Sequence, residues 1–419
     1  MRLSIKNIGK IESASIEING ITAIAGENNT GKSTIGRTLF SVFNGFYKVD
    51  EKIRRERYRS LDNLIDLIYQ NVDTEVYLQI DTGQIAEDIL DNVNDYRSNV
   101  QAIEEKIVKS AEEYDDKFRV KIRDANIREL LLRIKELLDI SDEEIFKAVL
   151  DKSLSAEFNG QINNIFADEE GKIELEIKNQ MVTISVKDNR VAELKNKILL
   201  LSDAIYLDDP FILDGERRIY RKEASYITDH KTQLKRKLTG CWRVANIVDE
   251  IAVNNKLENI FEKISQVCSG DIVRDRMNGY GYRRKNSDKV LDIRNVSAGL
   301  KTFVILKQLL QSGAIEYKGT IILDEPEIHL HPEWQLVFAE LIVLLHKEFG
   351  MHVLLNTHSP YFLRAIQVYS AKHEVADMCK YYLAEMSGTH AFIEDVSENI
   401  DKIYQKLSIP LQKLEDERW

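Results

Sequence analysis

The residues best suited to chemistry lie in one stretch, TIILDEPEIHLHPEWQ, at positions 320–335. An apolar run there ends in the carboxylates Asp324 and Glu325, and His329 and His331 follow close behind. Two kinds of site suit these residue types. The histidines and carboxylates together could bind a transition metal ion, or the carboxylates could serve phosphate chemistry while the histidines contribute to the fold.

A second stretch, ITAIAGENNTGKST, matches the pattern G-x-x-x-x-G-K-[ST] of a phosphate-binding loop. An apolar run precedes the loop and a run compatible with a helix follows it, which is the order that phosphate binding requires. Glycines let backbone N–H groups curl around phosphate oxygens, and the helix start adds a favourable dipole. In this pattern Lys32 reaches the β- and γ-phosphates and Ser33 coordinates Mg²⁺. The predicted nucleotide-binding residues are Gly26, Asn28, Asn29, Thr30, Gly31, Lys32, Ser33 and Thr34.

The two adjacent carboxylates fit the second half of such a site. The strand-like run at residues 320–323 would bring Asp324 and Glu325 to its C-terminal edge, where α/β sheets bind ligands. Asp324 would hold Mg²⁺, directly or through water, and Glu325 would polarise the attacking water as general base. Two carboxylates that cap a helix are the alternative, and the phosphate loop makes it the weaker one.

Two further motifs suit a site for phosphates. A buried run at residues 353–355 leads to His358, which would be well placed to sense a γ-phosphate, whereas the alternative is a histidine that only satisfies the fold. Ser297, Ala298 and Gly299 precede an apolar-periodic helix, and small residues at a helix start make an anion-binding device. A helix that is merely N-capped is the alternative, but the position about 25 residues before the carboxylates favours anion binding.

These four motifs, in this order and spacing, resemble the ABC-type ATPase head shared by SMC, double-strand-break-repair and RecF-like proteins. The resemblance covers residues 1–45 and 270–370. The segment DEPEIHLHPEWQ is similar, more narrowly, to the OLD-family ATPases and to the ATPase subunits of the Septu, PARIS and retron-associated anti-phage systems. The segment YLDDPFILD, residues 206–214, is similar to one that such ATPases carry before the signature region.

The resemblance implies an α/β fold, with an ABC-type P-loop ATPase head, a mixed and parallel sheet and a helical insertion. It implies ATP and Mg²⁺ as cofactors and Lys32, Glu325 and His358 as catalytic residues, with Asp324 and Ser33 at the metal. It places the signature motif, which would bind the nucleotide of a partner chain, on Ser297, Ala298, Gly299 and Lys301. The motif is VSAGLK rather than LSGGQ, so one glycine of the usual pair is missing, and no Q-loop glutamine is assigned.

The resemblance also bears on the two histidines. His329 and His331 would lie where ABC-type heads place the D-loop, which crosses the interface of two heads. Side chains two positions apart share a face in a strand but need not converge in a turn. Glu327 lies close by, but no further histidine or cysteine follows with metal-ligand spacing. Interface packing is therefore favoured over a dedicated transition-metal site.

Composition limits the class of protein. The 419 residues are 43% hydrophobic and 30% charged, as in an ordinary globular protein, and no apolar run approaches a membrane span. Three widely spaced cysteines and an N-terminus with strand-like alternation predict a cytoplasmic protein without disulfides or a signal peptide. The net charge of −11 argues against a generic nucleic-acid binder, although local basic runs occur.

The pattern along the chain predicts a head that is split in sequence. Residues 1–45 form its N-terminal lobe and residues 201–419 its C-terminal lobe, which includes a helical block at 214–268. Residues 46–200 form a mainly helical insertion with a β-hairpin near 172–187 that turns near Asn179. Helical spacing joins Ile103, Ile107, Ala111 and Tyr114, then Ile127, Leu131, Ile134 and Leu138, and residues 141–144 form a capping box.

Three functions are open at this point. The favoured one is the sensor or regulatory ATPase of an anti-phage complex, a homodimer or higher even oligomer with a separate nuclease or toxin as effector and no membrane partner. The second is a RecF- or SMC-like repair or recombination ATPase, which the basic runs at residues 52–59, 216–222, 231–237 and 281–285 would bind to DNA. A transporter subunit is third, because about 265 residues separate the phosphate loop from the signature.

Overall fold

The structure is a computed structural model that describes residues 1–125, 127–200, 202–215, 228–239, 257–275 and 279–417. It divides into two compact units. The head unit contains Met1–Tyr47 and Leu150–Trp419, and the helical unit contains Lys48–Val149. None of the helices in these described ranges is long and apolar enough to cross a membrane.

The described strands form an 11-stranded sheet and a three-stranded sheet. The large sheet contains β1 (Arg2–Ile8), β2 (Ile11–Glu17), β3 (Ile21–Gly26), β4 (Gly171–Ile177), β5 (Gln180–Lys187), β6 (Arg190–Lys195) and β7 (Ala204–Leu207). It also contains β11 (Thr320–Asp324), β12 (His352–Thr357), β13 (Cys379–Ser387) and β14 (His390–Asp395). The small sheet contains β8 (Gly270–Asp275), β9 (Gly279–Arg284) and β10 (Val290–Asp292). The order in the large sheet is β6-β5-β4-β1-β2-β14-β13-β3-β12-β11-β7.

The helices of the head unit are α1 (Lys32–Phe46), α10 (His230–Thr239), α11 (Ala298–Gln311), α12 (Pro332–Phe349), α13 (Pro360–Lys372) and α14 (Asp401–Asp416). Residues 257–265 are also helical. The helices of the helical unit are α2 (Val49–Val72), α3 (Thr74–Tyr77), α4 (Thr82–Asp91), α5 (Val93–Arg97), α6 (Val100–Glu112), α7 (Phe118–Asp124) and α8 (Arg128–Asp139). A further helix, α9 (Asp142–Phe158), begins in the helical unit and ends in the head unit.

Five neighbouring strands of the large sheet, β13, β3, β12, β11 and β7, are mutually parallel. All six residues of β3 are buried, as are the first four of β11, so these strands are covered on both faces. Their carboxyl ends meet at one edge, where the phosphate loop and the paired carboxylates follow β3 and β11. The predicted α/β class with a mixed and parallel sheet is confirmed.

The predicted hairpin forms, but within the sheet of the head. Ile173 pairs with Ile184 and Leu175 with Val182 around a turn at Lys178 and Asn179, as the alternation predicts. On its other side β4 pairs with β1 over Arg2 to Lys6. The hairpin therefore belongs to the head unit, where it satisfies backbone hydrogen bonds on the edge of β1, and the helical unit ends at Val149 rather than near residue 200.

The helical unit follows the predicted periodicity. Ile103, Ile107 and Ala111 are buried on α6, whereas Tyr114 lies past the end of that helix and is exposed. The second predicted set is buried throughout: Ile127, Leu131, Ile134 and Leu138. The capping box is confirmed, because the Ser141 N–H donates to Glu144 and the Glu144 N–H donates to Ser141. Most of the predicted helical block at 214–268 lies outside the described residues, which place α10 and helical residues 257–265 there.

Candidate functional site

The phosphate loop connects the end of β3 to the start of α1 and closes on itself. The Thr30 hydroxyl donates to the Glu27 carbonyl at 2.8 Å. Gly31 precedes α1 with φ of 82°, and a Cβ there would lie 2.8 Å from Ile11 Cγ1. Both facts require glycine, because the left-handed backbone and the tight contact would each resist a side chain. A glycine is therefore needed where the loop enters α1.

Lys32 lies inside this loop. Its ammonium donates to the carbonyls of Gly26 at 3.0 Å and Glu27 at 2.7 Å, and lies 3.7 Å from Glu325 Oε1. The side chain is 4% exposed. Burial lowers the pKa of Lys32 from its ordinary value, and the neighbouring Glu325 carboxylate opposes that shift.

Asp324 is held on both of its oxygens by the neighbouring strands. The Tyr206 hydroxyl, from β7, donates to Oδ2 at 2.8 Å, and the Asn356 amide, from β12, donates to Oδ1 at 2.9 Å. Because β7, β11 and β12 are adjacent and parallel, their side chains meet at the same edge. This arrangement fixes the orientation of the carboxylate before any ligand binds.

Glu325 and His358 approach each other at that edge. The carboxylate Oε1 of Glu325 lies 3.4 Å from His358 Nδ1, so it is close to both the histidine and the Lys32 ammonium. Glu325 has φ of 50° and donates its N–H to the Asn356 carbonyl at 2.9 Å. The structure thus brings together Lys32, Glu325 and His358, which the sequence predicts as catalytic.

Glu327 accepts hydrogen bonds from the residues at the end of β12. Its Oε1 accepts a hydrogen bond from the Thr357 hydroxyl and another, at 3.3 Å, from the His358 N–H. The side chain is almost fully buried, and burial raises the pKa of Glu327 above its ordinary value. Its position in the core, facing Thr357, gives it a structural role.

The site residues fit ATP with Mg²⁺. A pocket of about 470 Å³ extends from the phosphate loop to Glu325 and to residues 158–166, a volume suitable for a small ligand. The donors for a cation are the Asp324 carboxylate and the Ser33 hydroxyl, and Mg²⁺ prefers such oxygen ligands. Within the pocket lining lie Asn29, Thr30, Gly31, Lys32, Ser33 and Thr34 of the predicted nucleotide-binding set.

The signature residues lie at the start of α11. Ser297 precedes the helix and is exposed, as an anion-binding helix start requires. Gly299 packs against the segment that follows the carboxylates, since a Cβ there would lie 2.6 Å from the His329 carbonyl oxygen. The structure therefore couples the start of α11 to the segment after Glu325.

Lys301 differs from the expectation of a ligand contact. It is 1% exposed, and its ammonium lies 2.6 Å from Asp214 Oδ1 and 5.0 Å from the centre of the Phe211 ring. An ammonium so enclosed anchors the signature helix to residues 210–214 and faces away from solvent. The structure places Lys301 in the core, where its ammonium is paired with Asp214 rather than presented at the surface to a nucleotide.

The two histidines do not converge. His329 packs edge-on against Phe211, with ring centres 5.4 Å apart, and His331 is an exposed residue directly before α12. Among the described residues, no group of three or more His, Cys, Asp or Glu side chains is arranged to hold a metal ion. His329 thus packs within its own chain, and the interface packing that the sequence favours for the two histidines stays a prediction.

Sequence reasoning did not identify Tyr206 and Asn356 as partners of Asp324. Tyr206 lies in the segment YLDDPFILD and Asn356 follows the apolar run at residues 353–355, but neither residue type has an unambiguous signal in a single sequence. A polar residue within the otherwise apolar run of β12 was the available clue for Asn356, since a buried amide must find a partner.

The arrangement is suited to hydrolysis of a phosphoanhydride. A carboxylate at the pocket edge can accept a proton from water, and the lysine can neutralise charge on phosphate oxygens. The histidine beside that carboxylate can donate to a phosphate or orient the water. Mg²⁺, when bound, supplies further charge neutralisation.

Comparisons with known proteins agree with this chemistry. A family model described as AAA ATPase domain matches residues 1–363. Endonuclease GajA of Bacillus cereus strain HuB5-5 is 23% identical over 387 residues, which cover 82% of this chain and 52% of the endonuclease. The chain spans about half the length of that relative.

Similar solved structures include the SMC head domain from Thermotoga maritima, at 13% identity and a TM-score of 0.38, covering 94% of this chain and 98% of that one. An Smc head bound to the C-winged helix domain of ScpA has 11% identity and a TM-score of 0.42, covering 94% and 97%. The family match, over residues 1–363 of 419, decides the assignment. The chain belongs to the AAA ATPase domain family, and it is an ATPase with an α/β head.

Proposed function

We propose that Glu325 is the general base of ATP hydrolysis, with Asp324 and Ser33 at Mg²⁺ and Lys32 and His358 at the γ-phosphate. One observation carries this assignment: Glu325 Oε1 lies 3.7 Å from the Lys32 ammonium and 3.4 Å from His358 Nδ1. A proton acceptor is thereby placed beside the cation that would face the transferred phosphate.

We further propose that two chains pair head-to-tail around ATP. In such a pair Ser297 and Gly299 of one chain would donate to the γ-phosphate held by the phosphate loop of the other. The exposed Ser297 at the start of α11 supports this proposal, because a helix start attracts anions. ATP would hold the pair together, and hydrolysis would release it.

The biological role that we propose is the sensor or regulatory ATPase of an anti-phage defence complex, with a nuclease or toxin effector on a separate polypeptide. Support comes from the segment DEPEIHLHPEWQ and from the similarity to an endonuclease over half of that protein's length. ATP-dependent pairing would then control when the effector acts.

A DNA repair ATPase that binds DNA directly is the second candidate. Its support lies in Arg283 and Arg284 at the end of β9 and in Lys285 directly after it, which are all exposed. Other basic runs are occupied within the protein: Arg57 donates to carbonyls at the end of α8, and Lys237 pairs with Asp203 at 2.8 Å. The run at 216–222 lies outside the described residues.

The deciding experiment captures partners of the tagged Glu325→Gln protein from its native host in the presence of Mg-ATP. This variant should bind ATP without releasing it by hydrolysis, so that partners of the ATP state accumulate. We expect a nuclease-like or toxin-like protein in stoichiometric amount. The Lys32→Ala variant, with weakened ATP binding, is the matched control and should recover less of it. Recovery of DNA without a protein partner would instead support the repair function.

A further inference from the structure

A cluster of buried charges lies beside the proposed metal ligand and has no part in the motifs. His230, the first residue of α10, is almost fully buried. Its Nδ1 lies 2.7 Å from Glu157 Oε2 and its Nε2 lies 3.0 Å from Asp208 Oδ2. The backbone N–H of His230 also donates to Glu157 Oε1 at 2.6 Å. Two carboxylates thus face opposite edges of one imidazole ring.

This contact set favours the charged form of the ring. Burial lowers the pKa of His230, but hydrogen bonds to Asp208 and Glu157 outweigh it and raise the pKa to about 9. Lys231 is a further cation at the cluster, at 3.5 Å from the same Asp208 oxygen. Groups of this kind are costly to bury, since each ion loses its hydration. The free-energy cost of burying these groups is offset only where their contacts are well formed, which indicates that their geometry is closely defined.

The ring of His230 stacks on Tyr206. The ring centres lie 4.4 Å apart with an angle of 26° between the planes, which places a cation over an aromatic face. Phe40 of α1 packs edge-on against the same imidazole, with the centres 6.0 Å apart. The imidazole is therefore held by a carboxylate at each ring nitrogen, by Tyr206 stacked on one face and by the edge-on contact with Phe40.

Tyr206 transmits that position to the site. It is 1% exposed, and its hydroxyl donates to Asp324 Oδ2 at 2.8 Å. From the side of α1, Gly36 leaves the tyrosine little space, because a Cβ at that glycine would lie 3.2 Å from the hydroxyl oxygen. A tyrosine that stacks on His230 and has little space beside its hydroxyl can hold its hydrogen bond in one direction.

We propose that His230 is a positioning residue for the metal-binding carboxylate: through the stacked Tyr206 it holds Asp324 in the orientation that binds Mg²⁺. The inference deepens the proposed function, since it rests on the role of Asp324 as a metal ligand. His230 touches neither nucleotide nor metal in this scheme. It acts by restricting the tyrosine, as partners behind metal ligands do in general.

The test measures metal affinity directly. Mn²⁺ is titrated into the full-length protein with saturating ADP, and bound Mn²⁺ is followed by electron paramagnetic resonance. We expect His230→Gln and Tyr206→Phe each to weaken Mn²⁺ binding by 10-fold or more, the loss typical of such partners. The double variant should lose no more Mn²⁺ affinity than the single variant with the larger loss, because both changes interrupt the same chain of contacts. The free Mg²⁺ concentration that gives half of the maximal ATPase rate should rise by a similar factor.

Glu340 provides the matched control. It is a buried carboxylate in the same unit, held by Lys263 at 2.7 Å, Lys372 at 2.8 Å and His373 at 3.0 Å. Glu340→Gln should lower the melting temperature, as we also expect of His230→Gln, but leave Mn²⁺ affinity unchanged. Tyr206→Phe removes only a hydroxyl, so it keeps the test informative where His230→Gln fails to fold.

Two outcomes distinguish a failure of the positioning role of His230 from a failure of Asp324 as the metal ligand. If Asp324→Asn weakens Mn²⁺ binding while His230→Gln and Tyr206→Phe do not, the positioning role is overturned and Asp324 keeps its role. If Asp324→Asn leaves Mn²⁺ affinity unchanged, the metal-ligand assignment itself fails. Loss of melting temperature alone, equal to that of Glu340→Gln, would reduce His230 to a structural residue.

Discussion

Glu325 combines a strained backbone with a central place in the site. Its φ of 50° lies in the left-handed region, which costs a non-glycine residue roughly 1–2 kcal/mol. The hydrogen bond from its N–H to the Asn356 carbonyl holds this conformation. The turn directs the carboxylate toward Lys32 and His358. Strain at such a position is typical of residues whose direction matters for function.

The first prediction concerns the rate of hydrolysis. Glu325→Gln removes the proton acceptor and keeps the shape, so turnover should fall by about 100-fold or more, as loss of a general base does. Phosphate release measures turnover, and fluorescent ATP measures binding, which should be retained. Glu333→Gln, an exposed glutamate at the start of α12, is the control and should have normal turnover. An unchanged rate for Glu325→Gln would remove this residue from the mechanism.

The second prediction concerns Glu327. Glu327→Ala would leave the Thr357 hydroxyl and the His358 N–H without their acceptor, and should lower the free energy of unfolding by about 2 kcal/mol. Glu327→Gln keeps an oxygen at the same place and should cost less than half as much. Urea denaturation measures both. Equal losses in the two variants would show that charge, rather than the acceptor, matters here.

At the scale of elements, the signature helix and the segment after the carboxylates are packed as one piece. The contact of Gly299 with the His329 carbonyl and the burial of Lys301 against Asp214 fix the start of α11. Edge-on contact between Phe303 and Trp334 extends this packing along the helix. A shift at the start of α11 would therefore be felt near Glu325.

The third prediction tests that coupling. Gly299→Ala would place a Cβ 2.6 Å from the His329 carbonyl oxygen, so the helix or the segment must move. We expect a loss of about 1–3 kcal/mol in unfolding free energy, the usual cost of overpacking, together with a reduced turnover rate. Gly313→Ala is the control, because its φ of 68° makes alanine unfavourable while nothing lies within 4 Å. Gly313→Ala should lower the unfolding free energy without reducing turnover. Equal turnover in the two variants would argue against a coupling between the start of α11 and the segment after Glu325.

The fourth prediction concerns the β4–β5 hairpin. Lys178 and Asn179 form its two-residue turn with φ of 47° and 65°, the geometry that favours Asn-Gly. The double substitution Lys178→Asn, Asn179→Gly should raise the unfolding free energy by about 0.5–1 kcal/mol, since the native lysine is strained there. Thermal denaturation measures the change. Lys172→Asn, within β4, should give no increase, and an increase there would show that the turn is not the cause.

At the scale of the whole molecule, the helical unit has a core of its own. Its buried cluster includes residues from α2, α4, α6, α7 and α8, among them Leu61, Ile65, Ile107 and Leu131. The head unit has a separate large cluster around β3, β11 and β12. Each unit can therefore be considered as a folding unit with its own stability.

The fifth prediction follows from these separate cores. The isolated fragment Lys48–Val149 should be helical by circular dichroism and should unfold in one cooperative transition, because about 100 residues suffice for a stable core. Ile134→Ala, at the centre of that core, should lower its melting temperature, whereas exposed Leu132→Ala should not. A fragment without a cooperative transition would show that the unit depends on the head.

Local patterns in the sequence determined most of the elements. The glycine and lysine pattern located the phosphate loop, alternation located the β4–β5 hairpin, and the spacing around Ser141 located a capping box. These features depend on residues near each other in the chain, so their physical causes are visible in a single sequence. The sheet topology confirms the predicted α/β class, and the family match over residues 1–363 confirms the assignment as an ATPase.

Tertiary structure decided what depends on distant residues. The alternation within the hairpin could not show that β4 pairs with β1, because a strand satisfies its hydrogen bonds on whichever edge the fold presents. Lys301 becomes a core residue only because Asp214 lies beside it. The path from His230 through Tyr206 to Asp324 likewise joins three positions that are far apart in the chain. Burial and side-chain direction are set by packing, which sequence spacing does not contain.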